Sequence, residues 1–583
     1  MNGGIEMKRA AIFSMTFIMM MILAACEGQP DPVSVRDKNL ATLSRVWGFT
    51  KYTHPVFLTG EMCWDEELFN LIPVVYSAEA GDVGGILYDW FVSLGDDGFE
   101  DIDKNDINDY SQMADFSWIN QTYLGLPLFE RLSSFQTIQP IDRTKAPVYF
   151  DIAGNSSFTN QQTHEDMDYS DIQYRLLGLF RMWNAIEYYF PYRDILDRDW
   201  HELLLEYIPK MIEGICRSSY ESTLASLSRH MHDAHVIFVN TTDFLYSNLW
   251  SIFSEMNSIH DAVFFLEPDL FNDIIGYSPL PARLLEAEGH LIVSEPMFND
   301  DLLSGDVILA VNSRDIDDIT AGMLQFMSYP NDEKSLAYLT RRGLWSQSSD
   351  MTVTVRRGDD ELDLQVEFNG WETSYLISGH VHFENNIGLI NPAHLSQNEI
   401  HRIMQDFADT DGLIVDLRQS PTELITYSLA EYLVEESQAF AVLSSPSRSV
   451  PGMFLNNCSR SYSGGLGSFG AFLYENPVVL LMDEWTVSNG EYTIVSLRNG
   501  ANVTVMGNNS IGANGNTTFL PLPGGISIVY TGLGVFTPEG EQTQRIGLAP
   551  DIRVDRTIQG IAEGRDEQME AAIEFILEST SNR

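Results

Sequence analysis

Cysteine and positive charge are what this chain has least of. Four cysteines in 583 residues, with no Cys-x-x-Cys pair, exclude a disulfide framework and leave no thiol site for zinc or redox chemistry. Only 34 Lys and Arg stand against 83 Asp and Glu, a net charge of −49, so the surface repels nucleic acid phosphates and anionic lipid headgroups. No lysine follows Lys334. What remains is an ordinary globular composition, 44% hydrophobic, long enough for about three or four domains.

The N-terminus reads as an address. Lys8 and Arg9 precede an apolar stretch, Ala10–Ile22, that is shorter than the ~20 residues a spanning helix needs. It ends in Leu23–Ala24–Ala25–Cys26, which resembles the bacterial lipoprotein box. That resemblance implies a signal peptide over 1–25, lipidation at Cys26, and a cell-envelope protein anchored to the membrane outside the cytoplasm.

Patterning along the rest predicts an α+β multidomain chain. Leu40, Arg45, Trp47, Tyr52, Pro55, Trp64 and Pro73 recur as Leu176, Arg181, Trp183, Tyr188, Pro191, Trp200 and Pro209, each 136 residues on. The recurrence predicts two related helical units within 27–262, each a helix ended by proline and a second helix starting at tryptophan. Phe116–Asn160, between them, reads as short β-runs. Residues 263–370 read as β-rich, and Gly305–Asp306–Val307–Ile308 through Asn312 resembles the core strand of a PDZ domain, a module that takes an extended peptide as an added strand. In 371–583 apolar β-runs alternate with helical stretches, as in an α/β layer structure.

Within that last region, Val478–Met482 leads into Asp483–Glu484–Trp485–Thr486–Val487–Ser488–Asn489–Gly490–Glu491 and then a helix. A serine at such a strand-to-helix junction can be a nucleophile beside free N–H groups, or a helix cap. The segment resembles the nucleophile region of the carboxy-terminal-processing serine peptidases, in their tricorn-protease-like branch. Asp416–Leu417–Arg418, Gly512–Ala513, Leu522–Pro523–Gly524–Gly525 and Gly547–Leu548–Ala549–Pro550–Asp551 extend the likeness. It implies a ClpP/crotonase-like α/β core that cleaves peptides or unfolded tails without a cofactor, with Ser488 as nucleophile.

The lysine that many such enzymes use as base is absent, since 510–516 read Ser-Ile-Gly-Ala-Asn-Gly-Asn. The tricorn-like histidine has its match in His235, within Arg229–His230–Met231–His232–Asp233–Ala234–His235. The family's glutamate is here Gln544, so an amide, or else Glu491 or Glu541, would orient the ring. The Asp-x-Arg-x-Asn-Gly-Gly loop becomes Asp416–Thr422 with Pro421, leaving the N–H of Asn489 and one from Ser420 or Thr422 as oxyanion donors. The same departures fit a catalytically silent peptide-binding protein. The histidine cluster also invites a metallohydrolase reading, although Ala234 separates Asp233 from His235 where the metallo-β-lactamase pattern has them adjacent.

Overall fold

The computed structural model describes residues 33–95, 110–134, 142–240, 278–297, 300–340, 344–346, 348–367, 379–393, 395–465 and 472–581. The expected signal peptide, Cys26 and the β-run at 263–266 lie outside the described residues.

Helices Val35–Thr53, Trp64–Tyr76, Ile172–Tyr189, Trp200–Glu213 and Arg217–Ser228 build the N-terminal part around one large apolar core. The first helix starts at Ser34, whose side chain accepts from the Asp37 N–H, and stops before Pro55. Equivalent contacts occur 136 residues apart: the Trp47 indole donates to the Trp64 carbonyl at 2.8 Å, and the Trp183 indole to the Trp200 carbonyl at 2.7 Å.

The stretch expected as short β-runs, Phe116–Asn160, is corrected in part. It holds helices Gln121–Leu124 and Leu126–Ser134, while Tyr149–Phe150 and Ser156–Ser157 pair as strands. Asn120 caps the first helix, and the i,i+4 pair Leu128 and Leu132 turns the second one's apolar face into the core.

A β-rich unit follows, ordered Asp360–Glu367, Asp350–Arg357, Val307–Val311, His290–Pro296, Ala282–Ala287, all antiparallel. Asn312 and Ser313, both at positive φ, turn Val307–Val311 back onto Arg314–Asp315, and helix Ile316–Leu324 comes next.

The C-terminal sheet runs Gly379–His382, Ile387–Asn391, Gly412–Asp416, Val478–Met482, Val503–Gly507, Ile552–Arg553, parallel from the second strand on. It is covered on both faces, which is why its strands read as unbroken apolar runs. Leu413, Val415, Val478, Leu480 and Met482 face helices Gln397–Asp406, Thr426–Leu433 and Asn489–Leu497. Ile414, Val479 and Leu481 face Ala572 and Ile576 of helix Glu567–Ser581. A separate sheet of Thr517–Leu522, Ile526–Thr531 and Ile237–Asn240 lays Leu520, Ile528 and Tyr530 against the N-terminal helices, joining the two halves of the chain. No helix among the described residues is long and apolar enough to cross a membrane.

Candidate active site

The central parallel strand Val478–Met482 delivers Ser488 to the C-terminal edge of the sheet, where open α/β sheets place their sites. Ser488 sits at φ 53°, ψ −118°, as the residue before helix Asn489–Leu497, and its side chain makes no capping hydrogen bond. Positive φ at a non-glycine residue is strained backbone held by its surroundings. Two contacts hold it: the Ser488 N–H donates to the Ala513 carbonyl at 2.7 Å, and its own carbonyl accepts from the Tyr492 N–H.

Across the turn lies the loop after Asp416. The Ser420 hydroxyl donates to the Val487 carbonyl at 2.5 Å and accepts from the Val487 N–H at 3.1 Å. The Asn489 amide donates to the carbonyls of Pro421 and Glu423. Gly490 is required by this approach, because a Cβ there would stand 2.8 Å from Ser420 Oγ. Thr422 gives both its N–H and its hydroxyl to the Ala393 carbonyl at 2.9 Å, which corrects its expected role as an oxyanion donor.

Arg418 bridges Asp416 at 2.7 Å and Asp566 at 2.8 Å, and Arg556 pairs with Asp483 and Glu484. Burial pushes the Asp483 carboxyl up to about 6. These pairs brace the strand ends that carry the serine turn.

The loop at 510–513 forms the other wall. Buried Glu491, pushed up by desolvation, accepts from the Ser510 hydroxyl at 2.6 Å and the Gly512 N–H at 2.7 Å. Lys334 donates to the carbonyls of Ser510, Ile511 and Ile546, and burial lowers its pKa to about 8. Glu491 thus organises the loop whose next residue, Ala513, holds the Ser488 N–H. Glu541 is exposed in a turn closed by Thr537.

His235 lies in the turn just before Ile237–Asn240, the strand that pairs with Ile526–Thr531. The pairing of Ile237 with Val529 brings the two segments together, and the Thr531 hydroxyl meets His235 Nδ1 at 2.8 Å. Ala234 and Val487, the neighbours of His235 and Ser488, share one apolar cluster with Ile511 and Ala513. The structure therefore brings the histidine and serine segments, far apart in sequence, to one place. Gln544 is buried and donates to Asp233 Oδ1 at 3.0 Å.

The other histidines point to separate neighbours. His230 meets the Tyr207 hydroxyl at 3.3 Å, and desolvation lowers its pKa to about 4. His232 meets the Tyr329 carbonyl and Asp197. Among the described residues no group of three or more His, Cys, Asp or Glu converges on a metal position.

Asp233, Thr531 and the Ser420 hydroxyl were not legible as site residues. For Asp233 a signal existed: an aspartate at a turn commonly accepts from the N–H two residues on, as it does here from His235 at 3.1 Å.

The model of peptidase family S41 matches residues 386–554, the segment that carries Ser488. Among solved structures, mature CPAF is 15% identical, with 70% of this chain and 98% of that one covered at a TM-score of 0.50. A point mutant of CPAF is 13% identical, covering 70% and 96% at 0.51. The tricorn protease is 12% identical over 70% of this chain and 37% of its own, at 0.35. No curated protein matches the chain. Residues 386–554 are thus similar to peptidase family S41, and the chain is a serine-type peptidase.

Proposed function

We propose that the protein is a lipid-anchored endopeptidase of the cell envelope, in which Ser488 attacks the scissile carbonyl of a peptide or unfolded protein tail and His235 is the base. The observation that carries this reading is the strained Ser488, whose hydroxyl caps nothing although it stands at a helix N-terminus. A capping serine would accept from an N–H one turn on, and this one does not.

In the proposed reaction His235 takes the Ser488 proton as the hydroxyl adds to the carbonyl. The developing oxyanion sits at the positive end of helix Asn489–Leu497, with the N–H groups of Asn489 and Ser420 as donors. The proton then passes from His235 to the departing amine, and water releases the acyl group by the same steps in reverse order of partners. Glu491 supports the loop beneath the serine rather than the ring.

The β-rich unit from Ala282 to Glu367 acts, in this reading, as a PDZ-like module that adds a substrate strand at its edge. The two helical units are related structural elements, supported by the matched Trp47 and Trp183 contacts. Membrane attachment through Cys26 rests on the sequence of residues 8–26. Cys26→Ser is expected to release the protein from membranes or leave it uncleaved, and unaltered membrane retention would remove the lipid assignment.

The activity is tested by incubating the full chain in detergent with an unfolded protein, beside Ser488→Ala. Cleavage that disappears in the variant is expected. Binding without cleavage in both would favour a catalytically silent peptide-binding protein, and cleavage abolished only by a chelator would favour a metallohydrolase.

A further inference from the structure

We propose that Asp233, acting through the hydroxyl of Thr531, is the positioning residue that holds His235 in its working tautomer and stabilises the ring when it is charged. The proposal rests on the reading of Ser488 and His235 given above.

Asp233 is fully buried, yet its carboxylate is saturated with donors. Oδ2 accepts from the Thr531 N–H at 2.7 Å, and Oδ1 from the Thr531 hydroxyl at 2.8 Å, the His235 N–H at 3.1 Å and Gln544 Nε2 at 3.0 Å. None of these donors is a cation, so the negative charge stays uncompensated inside the protein. A group able to become positive stands beside it: His235, whose Nδ1 lies 3.7 Å from Oδ1.

The Thr531 hydroxyl has one proton and gives it to Asp233, so toward His235 it can only accept. His235 Nδ1 must therefore carry hydrogen, and the free lone pair is on Nε2. That is the tautomer a base for Ser488 needs. During the reaction no proton reaches Asp233: Nδ1 keeps its hydrogen, Nε2 gains the serine proton, and the carboxylate stabilises the cation across the threonine bridge.

The same geometry accounts for the amide at position 544. With a carboxylate already at 233, the neighbouring position must donate, which Gln544 does and a glutamate could do only after taking up a proton. Around this network, Tyr192 is raised by burial, with Asp233 and Glu491 adding to the shift, and so stays neutral. Ser328 closes the set by accepting the Asp233 N–H at 2.9 Å.

The test uses the full chain in detergent, an unfolded quenched-fluorescent protein as substrate, and kcat and KM measured separately across pH. Thr531→Val is expected to lower kcat about 10-fold and Asp233→Asn about 100-fold, with KM changed little and the acid limb moved to lower pH. Thr531→Ser, which keeps the hydroxyl, restores the wild-type rate and profile. Gln544→Glu lowers kcat rather than raising it. Nitrogen NMR of histidine-labelled protein reads the tautomer without activity: Nδ1–H for His235 in the wild type, lost in Thr531→Val. Wild-type kcat, acid limb and tautomer in Thr531→Val would overturn the proposal while leaving Ser488 and His235 in place. Full activity in Ser488→Ala would overturn the peptidase reading instead, with the tautomer still deciding the Asp233 contact.

Discussion

Two buried aspartates, one in the helical core and one at the candidate site, each stand beside a histidine, and they are used in opposite ways. Asp65 meets His164 at 3.0 Å, but Arg181 meets the same oxygen at 2.7 Å. Burial alone would raise the Asp65 carboxyl, and Arg181 with His164 brings it down to about 2. The largest part of that lowering comes from Arg181, a neighbour that never changes state. Asp233 has no guanidinium or ammonium partner among the described residues, only hydroxyl and amide donors. Its charge remains for a group that changes state, which is what a site requires and a core does not.

The largest expected effect separates the site from the scaffold. Ser488→Ala abolishes turnover, and because the side chain caps nothing, the melting temperature stays within about a degree of wild type, against the several degrees that losing a ~1 kcal/mol cap brings in a small domain. Turnover and a thermal melt on the same sample check both halves of that statement.

Arg181→Met does the reverse. It leaves Asp65 buried without its cation, an expected loss of about 3–5 kcal/mol, while kcat per folded molecule is unchanged. Denaturant melts and active-site titration measure the two quantities. If Arg181→Met lowered kcat without lowering stability, the contrast between the two aspartates would fail.

Gly490→Ala probes the contact between the Ser420 loop and the serine turn. The added Cβ meets Ser420 Oγ, so an overpacking cost of about 1–3 kcal/mol is expected together with reduced kcat. A wild-type rate in this variant would show that the loop position is immaterial to catalysis.

The smallest effect is the acid response of the helical half. The folded Asp65 pKa is depressed, so its stabilisation is complete above about 4 and is lost as pH falls toward about 2. The shift is equivalent to about 2 kcal/mol. Denaturant melts between pH 5 and 2, compared with Asp65→Asn, resolve it, and identical pH slopes would remove the assignment.

How much of this was legible in sequence follows from how local each feature is. The parallel strands were readable because both faces of Val478–Met482 are buried and every residue must be apolar. Ser488 was readable because a strand, a turn and a helix meet within a few residues. The functional part of Asp233 was not, since its partner Thr531 lies 298 residues away and only the pairing of Ile237 with Val529 brings them together. Gln544 read as a defect in a familiar pattern, whereas the fold makes it the donor that a nearby carboxylate demands. In sequence Lys334 is only the last lysine of the chain, and the fold carries it to the 510–511 loop. The helices at Gln121–Leu124 and Leu126–Ser134 were missed because each is too short for periodicity to declare itself.

The central claim, that Ser488 is a nucleophile activated by His235, is tested most directly by exposing the full chain to a serine-reactive fluorophosphonate at neutral pH and mapping the adduct by mass spectrometry. A single adduct on Ser488, slowed in His235→Ala and absent in Ser488→Ala, is the expected result. An unmodified Ser488, or labelling whose rate is indifferent to His235, would contradict it.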